Sequence, residues 1–318
     1  MGAWGGRRPF RAASTDKVSR VTRAEDYQHT VAGPAIFAGT GVHTGDRVRV
    51  SIRPAPAETG VLFVRTDVKD RDNRVPVAPE TVVKTRLGTV IGNAEGVAVS
   101  TIEHLMAAFS ALGVDNAVVE LDGSEVPIMD GSALPFVTLL DRAGRRRQAA
   151  PRRFIEVLEP VEVTDGDKRA ALLPADRFVV DFEIRFDTAA IRRQRVVLEV
   201  TEAAFRAELA DCRTFGFVHE VEALRAAGLA RGGSLENCVV IDGDRVLNPE
   251  GLRRADEFVR HKALDAVGDL YVLGAPVLGR FEGVKAGHDL NNRLVRALAA
   301  RPAAWRWRTR VEELAEAV

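Results

Sequence analysis

Apolar and polar positions alternate most cleanly over Arg47-Val48-Arg49-Val50-Ser51-Ile52-Arg53, which predicts a half-exposed strand. Residues 26–67 keep a strand-like pattern throughout, punctuated by Gly and Pro. Residues 100–112 change to a helical run that Gly113 ends; 116–121 predicts a strand, 127–131 a turn and 136–142 a second helix. Residues 144–153 are polar, Arg-rich and broken by Pro151, the pattern of a linker between two halves. Strand-like runs return at 154–163, 170–173 and 178–186, followed by helical segments at 203–210 and 220–227. A short strand at 239–241 and helices at 255–267 and 290–300 complete the chain. Strands followed by helices, twice over, predict an α+β fold of two similar domains rather than alternating βαβ units. The boundaries read as a flexible extension at 1–26, domains at 27–148 and 149–302, and a tail at 303–318.

Composition narrows the class. The 318 residues are 46% hydrophobic and 28% charged, enough for a sizeable core. Formal net charge is zero, so no bulk field recruits nucleic acid or an anionic membrane. No apolar run approaches the roughly 20 residues of a spanning helix, so no stable membrane insertion is expected. Arg7, Arg8 and Arg11 have no apolar stretch behind them, unlike a secretory signal. Two cysteines, Cys212 and Cys238, fit a reducing compartment, and a cytoplasmic enzyme or binding protein is expected.

The helix at 101–112 is apolar at almost every angle, so it is expected to be buried on all sides. Glu103 and His104 are its only ionisable residues, and buried charge needs a partner. Glu103 also fits a capping box with Ser100, and His104 alone would suit a hydrogen-bonded core histidine.

A second helix carries another polar face. Phe258, His261, Lys262, Asp265 and Asp269 fall within a stripe roughly 100° wide. His261 and Asp265, four residues apart, are spaced to hold one ion, although the same spacing serves a solvated pair. His288 follows in a Gly-containing loop that suits a mobile proton donor. Of the 45 basic residues only six are Lys, yet Lys262 and Lys285 both lie here, where something beyond plain charge is wanted. Together, two His and one carboxylate make a three-ligand zinc site with a position left for water. Glu103 would take that water's proton, His288 would protonate a leaving group, and Lys262 would stabilise an anion.

Ser-Thr-Ile-Glu-His-Leu at 100–105, Pro-Ile-Met-Asp-Gly-Ser at 127–132, Arg-Thr-Phe-Gly-Phe at 213–217, Glu-Phe-Val-Arg-His-Lys-Ala-Leu-Asp at 257–265 and Ala-Gly-His at 286–288 resemble the UDP-3-O-acyl-N-acetylglucosamine deacetylases. Gly-Val-His-Thr-Gly at 41–45 adds to the resemblance, which runs in order over about residues 27–300. It implies hydrolysis of the N-acetyl group of a UDP-linked, acylated amino sugar, the committed step of lipid A biosynthesis. It also implies helices packed between two sheets, and zinc on His104, His261 and Asp265, a set that Fe2+ would also accept. Glu103 would be the general base, His288 the general acid, Asp269 its orienting partner and Thr214 an oxyanion donor. Lys262 would sit between oxyanion and diphosphate, with Lys168, Phe186 and Phe215 as substrate contacts. An insert that receives the acyl chain is expected near 183–202, and the chain is expected to be a monomer.

Two other readings differ in class. One is a zinc amidohydrolase acting on another acetamido sugar; the other is a non-catalytic sugar-nucleotide-binding protein that keeps a metal for stability. A purely structural site would be closed by a fourth ligand, often cysteine, and neither Cys lies in such a motif. A protease is excluded by the absence of HExxH.

Overall fold

The structure, a computed structural model, describes residues 24–311. Most of the expected extension at 1–26 and the end of the expected tail therefore lie outside the described residues. Among the described residues six α-helices are present: α1 (Glu103–Leu112), α2 (Leu134–Ala143), α3 (Glu202–Glu208), α4 (Val218–Ala226), α5 (Glu257–Leu270) and α6 (His288–Ala299).

The first half forms a five-stranded sheet in the order Ala35–Thr40, Arg47–Pro54, Ala117–Leu121, Val61–Arg65, Arg74–Pro76. Its alternating strand behaves as its pattern demands: Val48, Val50 and Ile52 are buried in the core while Arg47, Arg49 and Arg53 are exposed. The second half builds a seven-stranded sheet around Val277–Val284, which pairs with Arg153–Val157, Lys168–Leu173 and Phe178–Arg185. Helices meet between the sheets, with α1 packed on α5 and α5 on α6, and one continuous apolar core spans both halves. The fold is α+β, two sheet-and-helix units face to face.

α1 is buried along its whole length except near its end, in keeping with its all-round apolar sequence, and Gly113 closes it in the left-handed region at φ 67°. The capping-box expectation is corrected. Ile102, not Ser100, precedes the helix, and the Ser100 hydroxyl donates to the Ser124 carbonyl instead.

The expected linker is also corrected. Residues Arg145–Pro151 form a strand antiparallel to Tyr27–Val31. Side-chain polarity misled here, because strand pairing uses only the backbone, and the Arg147 guanidinium gains a partner 3.7 Å above the Tyr27 ring. Pro151 ends this strand, where its missing N–H is tolerated. Trp305–Thr309, assigned to the tail, instead pairs with Arg153–Val157.

Candidate active site

α1 and α5 cross with their polar residues facing each other. The His104 Nε2 and His261 Nε2 atoms stand 3.4 Å and 3.3 Å from the Asp265 Oδ1 atom. Within this trio the ligand-type atoms all lie within 4.8 Å of one another. Asp265 Oδ1 is buried and has no hydrogen-bond donor, a costly state for a carboxylate oxygen unless a cation faces it. The His261 Nδ1–H donates to the Cys212 carbonyl at 3.0 Å, which leaves Nε2 with its lone pair toward Asp265. Burial drives His261 down to about 3, against the pull of Asp265, so the ring is neutral, as a metal ligand must be. Asp265 is held well below the usual carboxylate range because His261 and Lys262 outweigh its burial. These donors fit one divalent cation.

Around the trio stand the groups expected to move protons. Glu103 is 4% exposed, and burial raises its carboxyl above the ordinary range. Its Oε2 accepts the backbone N–H of Thr89 at 3.0 Å. His288 Nε2 lies 3.9 Å from Glu103 Oε1 and 3.8 Å from Asp265 Oδ2. The other nitrogen of that ring, Nδ1, meets Asp269 Oδ2 at 2.9 Å. Burial works against a charged His288, but Asp269 and Glu103 overcome it, and the ring is pushed up to about 9. One expectation changes: His288 is not in a loop but is the first residue of α6, where Gly287 precedes it. Lys262 donates to Asp265 Oδ2 at 2.6 Å, and that carboxylate raises its pKa against burial.

A cavity of about 650 Å³ opens over these residues. Glu103, His104, His261, Lys262, Asp265 and His288 form its polar floor, and Thr214, Phe215 and Lys168 also reach its wall. Asp269, 0% exposed, sits behind His288 rather than on the wall. Phe186 is not on the wall either; its ring packs on Phe215 and Phe217, with centroids 5.7 and 5.6 Å away.

The apolar arm of the cavity comes from another place than expected. Val221, Leu224, Leu235, Val240 and Leu247 line it, and no residue of 183–202 does. Residues 183–202 lie instead largely in the hairpin of Phe178–Arg185 and Arg193–Glu199, an extension of the large sheet. The lining belongs to a separate small unit in which Phe215–Phe217 and Val239–Asp242 run parallel, with α4 between them. Its signature was available as a strand, a helix stopped by Gly228 and a second strand.

Sequence reasoning missed the hydrogen-bonded support around the site. Thr89 and Asn291 donate to Asp269, Asn292 donates to the Thr89 hydroxyl, and Arg213 joins Glu257 beneath His261. Of these supporting residues only Arg213 and Glu257 fell within the quoted motifs, each as the first residue of its motif and neither with a role assigned.

Comparisons with known proteins identify the family. The family model described as LpxC, UDP-3-O-acyl N-acetylglycosamine deacetylase, matches residues 28–300. A UDP-3-O-acyl-N-acetylglucosamine deacetylase of Phenylobacterium zucineum is 75% identical over 292 residues, covering 92% of this chain and 100% of that protein. Proteins of the same name from Shewanella sp. strain W3-18-1 and Shewanella oneidensis are 51% and 50% identical, each across 88% of this chain and 92% of their own length. With the family model matching most of its length, the chain belongs to the LpxC family of UDP-3-O-acyl-N-acetylglucosamine deacetylases.

Proposed function

We propose that this protein hydrolyses the N-acetyl group of a UDP-linked, 3-O-acylated N-acetylglucosamine, releasing acetate in the committed step of lipid A biosynthesis. The observation that carries the reading is the union of a three-residue cation site with a separate buried carboxylate and imidazole at the floor of one cavity. The cavity's apolar arm suits an acyl chain, and Lys168 and Lys285 on its wall suit a diphosphate.

The cation is read as zinc, held by His104, His261 and Asp265; Fe2+ would also accept two imidazoles and a carboxylate. When bound, such a cation supplies Lewis acidity, acidifying the attacking water and polarising the amide carbonyl. Glu103 accepts the water's proton at a carboxylate oxygen, its burial having raised its basicity. The hydroxyl oxygen adds to the amide carbon, and the Thr214 hydroxyl and Lys262 ammonium stand at the wall to stabilise the oxyanion. His288 Nε2–H gives its proton to the departing amine as the C–N bond breaks, while Asp269 holds Nδ1. The products are acetate and the free amine. Phe215 packs against the substrate from the wall, and Phe186 supports it from behind.

Residues 27–148 and 149–302, the second joined by the strand Trp305–Thr309 that completes its sheet, serve as the two domains, and the protein works as a cytoplasmic monomer. Among the described residues no helix is long and apolar enough to cross a membrane. The test is acetate release from the UDP-linked acylated sugar before and after chelation. Loss on chelation and recovery with Zn2+ support the reading; chelator-insensitive release, or none from the metal-loaded protein, overturns it.

A further inference from the structure

Thr89 belongs to none of the motifs and does not reach the cavity wall, yet all of its polar groups are spent on the site. It is fully buried in the turn before the strand Val90–Gly92. Its N–H donates to Glu103 Oε2 at 3.0 Å, and its carbonyl accepts the N–H of Ile102, the residue that precedes α1, at 3.4 Å. No side chain caps this helix, so the backbone of Thr89 does so. Its hydroxyl has one proton and gives it to Asp269 Oδ1 at 2.6 Å, across to the other half of the chain. The same oxygen accepts from Asn292 Nδ2 at 3.1 Å, which fixes the direction of the hydroxyl.

The consequence lies in the acceptors. Asp269 receives Thr89 on Oδ1, Asn291 on Oδ2 at 2.9 Å, and the His288 Nδ1–H at 2.9 Å. Three donors pin the carboxylate in one plane, and that plane sets the tilt of the imidazole. Without the Thr89 hydroxyl, Oδ1 would be left with His288 Nδ1 alone, at 3.2 Å. The carboxylate would then be free to rotate, carrying Nε2 away from the leaving nitrogen. Glu103 and His288 come from opposite halves of the chain, so their spacing depends on whatever joins them, and Thr89 bonds both to Glu103 and to the partner of His288.

We propose that Thr89 is a positioning residue that sets the general base and the general acid in mutual register, its amide fixing Glu103 and its hydroxyl fixing Asp269 and through it His288. This rests on the reading of His288 as the proton donor. It differs from a core hydrogen bond in one respect: the hydroxyl matters to turnover only while His288 is there to be aimed.

The experiment compares Thr89→Val, which keeps the shape and the amide but lacks the hydroxyl, with Thr89→Ser, which keeps the hydroxyl. Each is made alone and combined with His288→Gln in the metal-loaded enzyme, with kcat, KM and bound metal measured throughout. Thr89→Val is expected to lower kcat roughly 10- to 100-fold, the usual range for a lost orienting partner. KM and metal content stay within about twofold, since Thr89 touches neither substrate nor ligands, and Thr89→Ser recovers most of kcat. In the His288→Gln background, Thr89→Val adds nothing further. A Thr89→Val enzyme with wild-type kcat overturns the proposal, as does an equal loss with and without His288. Wild-type turnover in His288→Gln alone overturns the reading of the acid itself, a distinct failure visible without any Thr89 variant. If Thr89→Val does not fold, Thr89→Ser and Thr89→Ala carry the comparison, and kcat no lower in Ala than in Ser overturns the proposal.

Discussion

Gly268 of α5 lies so close to Glu103 of α1 that a β-carbon on it would sit 1.9 Å from the Glu103 carbonyl oxygen. The two helices therefore touch nearly backbone to backbone, and this contact sets the distance between His104 and its partners on α5. Gly268→Ala cannot be absorbed by a side-chain shift, because the atoms met are main chain, including Ala107 N at 3.1 Å. Overpacking of this kind costs about 1–3 kcal/mol, here at the upper end or beyond. The variant is expected to unfold at lower temperature and to retain less metal after dialysis. Unchanged stability and metal content together would show that the helices separate without cost.

Base and ligand should part company under mutation. His261→Ala removes one of three donors, and metal content and turnover both fall away. Glu103→Gln keeps size and still accepts the Thr89 N–H, but cannot take a proton. Metal stays bound while kcat drops by roughly 10²–10⁴-fold. Metal analysis beside steady-state kinetics checks both, and a Glu103→Gln enzyme within a few-fold of wild type would reduce Glu103 to a structural role.

His288 predicts the alkaline side of the pH profile. A proton donor acts in its protonated form, so activity is present below its pKa and is lost as pH rises through it. Without a cation the ring sits at about 9, raised chiefly by Asp269 against burial. A bound divalent cation repels the imidazolium, so the limb is expected below 9 and above the ordinary value of about 6.5. Asp269→Asn removes the largest raising influence and should move the limb in kcat/KM to lower pH. His288→Gln should abolish it. A limb that stays in place in both variants assigns it to another group.

The pair Arg213 and Glu257 supports the site from below. Both are buried, at 2% and 0% exposure, and the guanidinium Nε donates to Glu257 Oε1 at 2.9 Å. Cys212, the next residue back, supplies the carbonyl that orients His261. Arg213→Met strands a buried carboxylate, for which a loss of about 3–5 kcal/mol in urea unfolding is expected. Arg213→Met combined with Glu257→Leu should recover part of that loss, since no uncompensated charge remains.

What the sequence disclosed depended on how the signal was carried. α1 was legible because an all-apolar helix with two adjacent ionisable residues has few explanations, and α5 because its polar stripe has helical spacing. The metal trio followed from the pair of helices. Thr89 was not legible: it reaches Asp269 across 180 positions, and nothing in a lone threonine announces that distance. The crossing strand Arg145–Pro151 was hidden because its partner, Tyr27–Val31, is also remote in the chain and its own side chains are mostly polar and mostly exposed. The apolar arm was misplaced because its position near 183–202 rested on the resemblance alone, while the short strands and exposed helix of 215–242 carry too weak an apolar pattern to correct it.

The pairing of Arg145–Pro151 with Tyr27–Val31 also decides where this molecule breathes. Parting the two halves as a clam opens would strip that ladder, and the Asp115–Arg152 ion pair at 2.7 Å beside it. The small unit that carries α4 has no such tie: its strands form their own sheet, and no residue of α4 is buried. Its loop meets the first half through a few backbone bonds, such as Arg231 N–H to the His43 carbonyl at 3.2 Å. Hydrogen exchange should accordingly be fast in α4 and slow in Arg145–Pro151, with a long-tailed substrate admitted by a flap rather than by a hinge.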